Sequence, residues 1–285
     1  MFGDKLFQFY EEKEKNFETG FFNIDNVFIN TNIPKGSIIT IGARPGMGKT
    51  SFEISICNHL LEMGKKVLFC KLDSSEIMTE AYLVSVKTKI SDSIALRAYD
   101  VEDFNKICDA VQFFNEKNLE ILCKMNISIE EIEEKIKAVK PDIVFIDSVQ
   151  CLKMQKAPNY TDAINLAVKD IKRIAIENNL IFVLISQLSR KPEIQNCRAP
   201  ILSDLRSGSF LEDISDFILF IHRKYYYSYI CSDYDCDDDY GNSKNEAEII
   251  VGKNKFGETG KFYLKYERGL FKDFSSEDQI RKVDL

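Results

Sequence analysis

The segment from Ala43 to Thr50 constrains the fold of this chain more than any other. Its sequence is Ala-Arg-Pro-Gly-Met-Gly-Lys-Thr; it follows the β-like apolar run Ser37–Gly42 and precedes an apolar-periodic run that begins at Ser51. A strand, a glycine-rich turn, Gly-Lys-Thr and a helix form the arrangement that holds the phosphates of a nucleoside triphosphate. Glycines let backbone N–H groups close around phosphates, and the helix N-terminus adds the positive end of its dipole. The sequence therefore predicts a phosphate loop, with Ala43 in place of the usual first glycine.

The predicted loop implies ATP and Mg²⁺ as ligands. Lys49 would reach the β- and γ-phosphates, and Thr50 would ligate Mg²⁺. The alternative is a glycine-rich turn with a chance lysine, which the flanking strand and helix disfavour. The residues expected to bind the nucleotide are Ala43, Arg44, Pro45, Gly46, Met47, Gly48, Lys49, Thr50 and Ser51.

Strand and helix signals alternate after the loop, which predicts an α/β fold. Ile143–Ile146 and Ile181–Ile185 are continuous apolar runs typical of buried strands, and Thr161–Asn178 has apolar residues at the spacing of one helical face. Such strands separated by helices predict a mostly parallel sheet with helices on both faces. The later strands, which include Phe217–Ile221 and Ala247–Val251, are expected to add antiparallel pairing at one edge.

Size and composition fit a soluble globular protein with one large domain or two small ones. The net charge of the 285 residues is −7, so the surface as a whole does not carry the positive charge that binds nucleic acids. A DNA contact would need a local basic surface. Eight cysteines without CxxC pairs favour a reducing compartment. The charged N-terminus has no long apolar stretch, so we expect no signal peptide, a cytoplasmic location and no membrane contact.

Two polar residues follow buried strands, at the positions where α/β sheets bind their ligands. Asp147 ends the run Ile143–Ile146, and we interpret it as the acid that holds Mg²⁺ through water. Gln187 follows Ile181–Ile185, and an amide there can sense the γ-phosphate and signal to the loop beyond it. On position alone, a loop glutamine with no role in nucleotide sensing is an equally good interpretation of Gln187.

These motifs, in this order, resemble the RecA-like motor domain of DnaB-type hexameric replicative helicases. The resemblance runs from about Thr19 to Phe274 and implies a P-loop NTPase fold with antiparallel edge strands near the C-terminus. We expect an N-terminal arm or linker helix over residues 1–18 and the ATPase domain over residues 19–285. The matching segments are the loop 43–50, Asp147 with Gln150, Ser-Gln-Leu-Ser-Arg at 186–190, Ser-Asp-Leu-Arg and Ser-Gly-Ser within 203–209, and a partial match to Lys-x-Arg-x-Gly-x-Thr-Gly at 253–260.

The resemblance implies an ATP-dependent DNA helicase or translocase, built as a homohexamer, that moves 5′ to 3′ along single-stranded DNA during replication. ATP would be hydrolysed between neighbouring subunits, and Lys253 and Lys255 would form the finger that acts on the neighbour's nucleotide. Arg206 and Gly208 would lie in the loop that touches DNA phosphates. A primase, a helicase loader or other replisome proteins would be further partners.

Three residue-level departures separate this chain from the family pattern. Asp73, which follows Lys71 and Leu72, takes the place of the Glu that positions the attacking water after a Ser-Leu pair. Lys255 occupies a position that is normally Arg, so it lacks the bidentate fork. The loop 205–209 is one residue shorter than the family form. In addition, the chain begins just before the motor domain, so we expect no primase-binding collar.

Two other function classes fit parts of the pattern. A DnaB-like accessory or regulatory protein would bind ATP and DNA with weak or no hydrolysis, as a consequence of Asp73 and Lys255. A RecA- or KaiC-like recombination ATPase would assemble on DNA, but the Ser-Asp-Leu-Arg and Gly-x-Thr-Gly elements argue against it.

Overall fold

A nine-stranded mixed sheet organises the part of the chain that the computed structural model describes. That part comprises residues 6–7, 15–28, 32–91, 95–97, 100–188, 199–205, 209–228 and 245–274. The strands are β1 Ile38–Ala43, β2 Val67–Lys71, β3 Leu119–Leu122, β4 Ile143–Asp147, β5 Ile181–Gln187, β6 Phe217–His222, β7 Glu246–Asn254, β8 Gly260–Glu267 and β9 Leu270–Lys272.

Helices connect most of the parallel strands, as expected for crossover connections. The α-helices are α1 Lys49–Glu62, α2 Glu76–Thr88, α3 Val101–Glu116, α4 Ile129–Val139, α5 Tyr160–Glu177, α6 Ser209–Ile214 and α7 Lys224–Ser228. Shorter turns of helix occupy Ile24–Phe28, Val149–Cys151 and Leu202–Asp204. At the start of α4, Ser128 and Glu131 cap each other's backbone N–H groups and form a capping box.

The strand order is β3-β2-β4-β5-β1-β6-β7-β8-β9. The first six strands in this order pair in parallel, and β6 to β9 pair antiparallel. The predicted α/β class, the parallel centre and the antiparallel edge are therefore confirmed. The carboxyl ends of the parallel strands share one edge of the sheet, called the carboxyl edge below, and their amino ends share the opposite, amino edge.

Two apolar cores cover the two faces of the sheet, because alternate residues of a strand point to opposite faces. In β1, Ile39 and Ile41 belong to the core that contains α1, whereas Ile38 belongs to the core that contains α4 and α5. The helices thus form a layer on each side, as the continuous apolar strands predicted. None of the described helices is long and apolar enough to cross a membrane.

The segment before β1 packs behind α1 and joins the first core. Phe17 is fully buried, and the ring of Phe21 stacks on Phe52 with 5.1 Å between centroids. The Asp25 carboxylate accepts hydrogen bonds from the Thr19 hydroxyl at 2.8 Å and the Gly20 N–H at 2.8 Å. These contacts anchor the chain against the helix that follows the phosphate loop. The division at residue 18 stays a prediction, since most of residues 1–18 lie outside the described ranges.

Candidate functional site

The carboxyl edge brings together the residues that the strand-end argument selected. Lys71 at the end of β2 is the register partner of Asp147 at the end of β4. Gln187 at the end of β5 is the register partner of Ala43 at the end of β1. Because β2, β4, β5 and β1 are successive neighbours in the sheet, all four residues lie side by side.

The phosphate loop between β1 and α1 depends on two glycines in the left-handed region. Gly46 has φ +78° and Gly48, which caps α1, has φ +91°. A Cβ added to Gly46 would lie 2.4 Å from the Tyr226 hydroxyl, and one added to Gly48 would lie 2.8 Å from Tyr266. Both positions therefore require glycine for backbone conformation and for close packing.

Arg223, directly after β6, contacts the loop and stabilises it. The sequence motifs did not identify this residue. Its guanidinium donates a hydrogen bond to the Gly46 carbonyl at 3.1 Å and lies 3.7 Å from the ring centroid of Tyr266. The signal was available, because Arg223 follows a buried strand just as Asp147 and Gln187 do. No sequence pattern pointed to Tyr266, because β8 is far from the phosphate loop in sequence and is brought to it by the antiparallel strands.

Buried polar groups lie directly behind the loop. Burial lowers the pKa of Lys49, and the Glu53 carboxyl, one helical turn further along α1, acts in the opposite direction. Burial also raises the pKa of Glu53 to about 7. Among the described residues, Glu53 Oε2 and Ser51 Oγ are buried without a hydrogen-bond partner. Such orphaned oxygens beside a glycine-rich loop fit a site for phosphates and a hydrated cation.

A single ammonium joins the acidic residues of the site. Lys71 Nζ contacts the Asp147 carboxylate and lies 3.3 Å from Glu53 Oε1 and 3.4 Å from Asp73 Oδ1. The Lys71 side chain is 3% exposed, whereas that of Asp73 is 50% exposed. Asp73 therefore faces the solvent side of the cluster, and Asp147 its buried side.

Gln150 connects the ends of β4 and β5. Its side-chain oxygen accepts a hydrogen bond from the Gln187 N–H at 3.4 Å, and its amide donates to Ser186 Oγ at 3.0 Å. Beyond Gln187, the Leu188 N–H donates to the Ala43 carbonyl at 3.1 Å. The backbone of the predicted sensor is thus bonded to Gln150 after β4, and the next residue is bonded to Ala43 at the start of the phosphate loop.

The segment that leads to the predicted DNA loop is tied to the same edge. Leu188 forms a β-bridge with Leu205, and Arg44 of the phosphate loop lies 3.6 Å from the Asp204 carboxylate with both side chains buried. The predicted DNA contacts, Arg206 and Gly208, lie outside the described residues.

Lys253 and Lys255 lie at the amino edge, away from the phosphate loop of the same chain. Lys255 Nζ is 2.7 Å from Asp216, whose N–H bonds the carbonyl of Ile38 at the start of β1. Lys253 Nζ donates to the Glu212 carbonyl at 2.6 Å. At about 3.3 Å per residue, β1 separates the two edges by about 17 Å. The fold therefore does not bring these lysines to the other predicted site residues.

A family model described as DnaB-like helicase C terminal domain matches residues 16–275. The chain belongs to this DnaB-like family. A probable plasmid replicative DNA helicase of Chlamydia psittaci is 32% identical over 267 residues, which cover 87% of this chain and 56% of that protein. The replicative DNA helicase DnaB of Helicobacter pylori is 27% identical over 279 residues, covering 87% of this chain and 57% of the relative. The chain thus spans little more than half the length of these relatives.

Two solved helicase structures superpose closely on the chain. One is an isolated ATPase domain, with a TM-score of 0.83 at 27% identity; the match covers 95% of this chain and 96% of that domain. The other is a DnaB-like replicative helicase, solved in work on its interactions with primase, with a TM-score of 0.81 at 27% identity. This second match covers 96% of this chain and 67% of that helicase. The predicted family and its RecA-like ATPase fold are therefore confirmed.

Proposed function

We propose that this chain is the ATP-hydrolysing motor of a DnaB-type helicase that moves 5′ to 3′ along single-stranded DNA in replication. One observation carries the proposal: the carboxyl edge sets the phosphate loop, Asp147 and Gln187 side by side on the fold of DnaB ATPase domains. The relatives named as replicative helicases favour this function over an accessory protein or a recombination ATPase.

ATP would bind with its phosphates on the loop from Ala43 to Ser51. The left-handed backbone of Gly46 and Gly48 is the conformation that lets N–H groups close around phosphates, and the N-terminus of α1 supplies a positive dipole end. The Lys49 ammonium, close behind the loop, would pair with the β- and γ-phosphates.

Mg²⁺ would be held by the Thr50 hydroxyl and, through water, by the Asp147 carboxylate. Both groups offer the hard oxygen atoms that Mg²⁺ prefers, and the unpartnered oxygens of Ser51 and Glu53 leave room for hydrogen bonds to water or phosphate. The bound ion would neutralise charge on the phosphate oxygens. Asp73, at the solvent side of the cluster, would position the attacking water, and Gln187 would respond to the γ-phosphate.

The position of Lys253 and Lys255 supports hydrolysis between subunits of a homohexamer. These cations lie about one strand length from their own phosphate loop, so they would act on the nucleotide of a neighbouring subunit. Each subunit would then contribute its carboxyl edge to one site and its amino edge to the next.

DNA would be gripped by the loop that contains Arg206 and Gly208, through phosphate contacts without sequence preference. The Leu188–Leu205 bridge and the Arg44–Asp204 ion pair connect that loop to the nucleotide edge. Loss of the γ-phosphate on hydrolysis would thus be transmitted to the DNA loop through these few contacts. A primase or helicase loader would act as a further partner.

The test is ATP turnover with Mg²⁺, measured with and without single-stranded DNA. We expect DNA to raise turnover, Lys49→Ala to abolish it, and the surface variant Lys87→Ala to match the wild type. Turnover that stays at background while ATP binds normally would identify an accessory protein instead. Unwinding of forked DNA with defined polarity separates a helicase from a recombination ATPase.

A further inference from the structure

Lys71 places a buried positive charge where the proposed metal acid and the proposed base meet. Its ammonium contacts Asp147 and lies within 3.4 Å of both Glu53 and Asp73. In the part of the chain that the structure describes, it forms ion pairs with two buried carboxylates, those of Asp147 and Glu53. The side chain of Lys71 is 3% exposed and that of Glu53 is 0% exposed, so water solvates the ammonium very little.

The pairing follows from the sheet. Lys71 and Asp147 are register partners on adjacent parallel strands, so their side chains leave the same edge next to each other. Glu53 approaches from α1, one helical turn after Lys49. Because a buried charge is stable only with a close partner of opposite sign, the three groups hold one another in place.

We propose that the Lys71 ammonium shares Asp147 with Mg²⁺ and competes with it, and so gives the nucleotide site a positive charge that is present without metal. This inference rests on the proposed binding of ATP at the phosphate loop. A cation already paired with Asp147 reduces what that carboxylate can offer to a second cation, since like charges a few ångströms apart repel. The same ammonium lies near Lys49, so the two positive charges would together attract the phosphates.

The measurable consequence is a weak coupling between Mg²⁺ and nucleotide. In a phosphate loop without such a lysine, Mg²⁺ supplies much of the charge that neutralises the phosphates, so its removal weakens nucleotide binding strongly. Here Lys71 supplies part of that charge in either condition. The ratio of the nucleotide Kd in EDTA to the Kd in saturating Mg²⁺ reports the coupling directly.

The experiment measures this ratio with a fluorescent, non-hydrolysable ATP analogue at constant ionic strength. For the wild type we expect a ratio within about threefold of one. Lys71→Met, which keeps the length but removes the charge, should raise it by about tenfold or more, or about 1.4 kcal/mol. Lys71→Arg keeps the charge and should stay close to the wild type.

Glu53→Gln provides an independent variant if Lys71→Met does not fold, as judged by circular dichroism. Removing one carboxylate leaves the ammonium more available to Asp147 and to phosphates, so the ratio should fall below that of the wild type. An unchanged ratio in Lys71→Met, or in Glu53→Gln when only that variant folds, would overturn the inference, as would a Lys71→Arg protein that behaves like Lys71→Met. Absence of nucleotide binding by the wild type in both conditions would overturn the proposed function as well.

Discussion

Replacing Lys255 by alanine tests the proposed action of this cation on the neighbouring subunit's nucleotide. The loss of folding stability should be small, because Lys255 is 46% exposed. The Asp216 carboxylate also retains two other contacts, Lys172 Nζ at 2.6 Å and the Ile38 N–H at 2.9 Å. Asp216 is largely buried, but its two remaining contacts keep its charge paired, so we expect a loss near the upper end of the about 0 to 1 kcal/mol that a surface ion pair contributes to the free energy of unfolding. A cation on the transferring phosphoryl group contributes far more, about 10³-fold to 10⁵-fold in kcat for an arginine finger.

We therefore expect Lys255→Ala to fold, to bind ATP as the wild type does, and to lose on the order of a hundredfold or more in kcat. A hundredfold loss corresponds to about 2.7 kcal/mol of transition-state stabilisation, well above the structural cost. Lys172→Ala is the matched control, since it removes the other ammonium from the same Asp216 carboxylate. Its kcat per folded protein should match the wild type.

Mixing two inactive variants makes the test decisive. Lys255→Ala retains an intact phosphate loop, and Lys49→Ala retains an intact finger, so an interface between them contains one complete site. In a random equimolar mixture, about a quarter of the interfaces have this composition, and turnover should recover to about that fraction of the wild type. A mixture that stays as inactive as its components, despite demonstrated co-assembly, would refute action between subunits.

The remaining predictions concern the loop, the core and the DNA contact. Gly48→Ala should weaken nucleotide binding at least about tenfold, because its Cβ would meet Tyr266; Gly64→Ala, which has φ +79° with no atom within 4 Å of the added Cβ, carries the same backbone strain and should bind normally. If the two variants bind equally poorly, the steric argument fails. Burial lowers the pKa of His222 to about 3. The folded pKa lies below the unfolded value of about 6.5. The contribution of neutral His222 to the free energy of unfolding is therefore fully present above about pH 6.5 and is lost as pH falls toward 3, by about 2 to 3 kcal/mol at pH 4.5. Urea unfolding at pH 7 and 4.5 should show this loss reduced in His222→Gln; an equal loss in both proteins would exclude the histidine. Arg206→Ala should lower the salt slope of DNA binding by about 1 while DNA-free ATPase is retained; an unchanged slope removes this residue from the phosphate contacts.

Local sequence was sufficient for the central strands and for the strand-end residues. The strands β1, β4, β5 and β6 and the helix α5 lie within two residues of the predicted apolar runs, because buried parallel strands require continuous apolar sequence. Asp147 and Gln187 could be placed beside the loop because strand ends at one edge meet in any parallel sheet. The three-residue strand β9 is too short to produce such a pattern.

Long-range pairing explains what the sequence left undetermined. The contact between Lys71 and Asp147 depends on β2 lying beside β4, which the order of strands along the chain does not specify. The stacking of Arg223 on Tyr266 depends in the same way on three antiparallel strands that bring β8 back to the loop. The predicted strand Ala247–Val251 did not include Lys253 or Lys255, and their placement at the amino edge required the register of β7 against β6.

The two-edge arrangement also limits how copies of this chain could assemble under the proposed function. If the lysines act on a neighbour's nucleotide, a complete site needs a head-to-tail contact rather than a twofold one, since the loop lies at one end of the sheet and the lysines at the other. A pair of molecules then completes one centre and leaves an unmatched half at each extremity. Every added copy completes one more site, and only a closed ring gives every subunit a complete site. Turnover per subunit should therefore rise steeply with protein concentration.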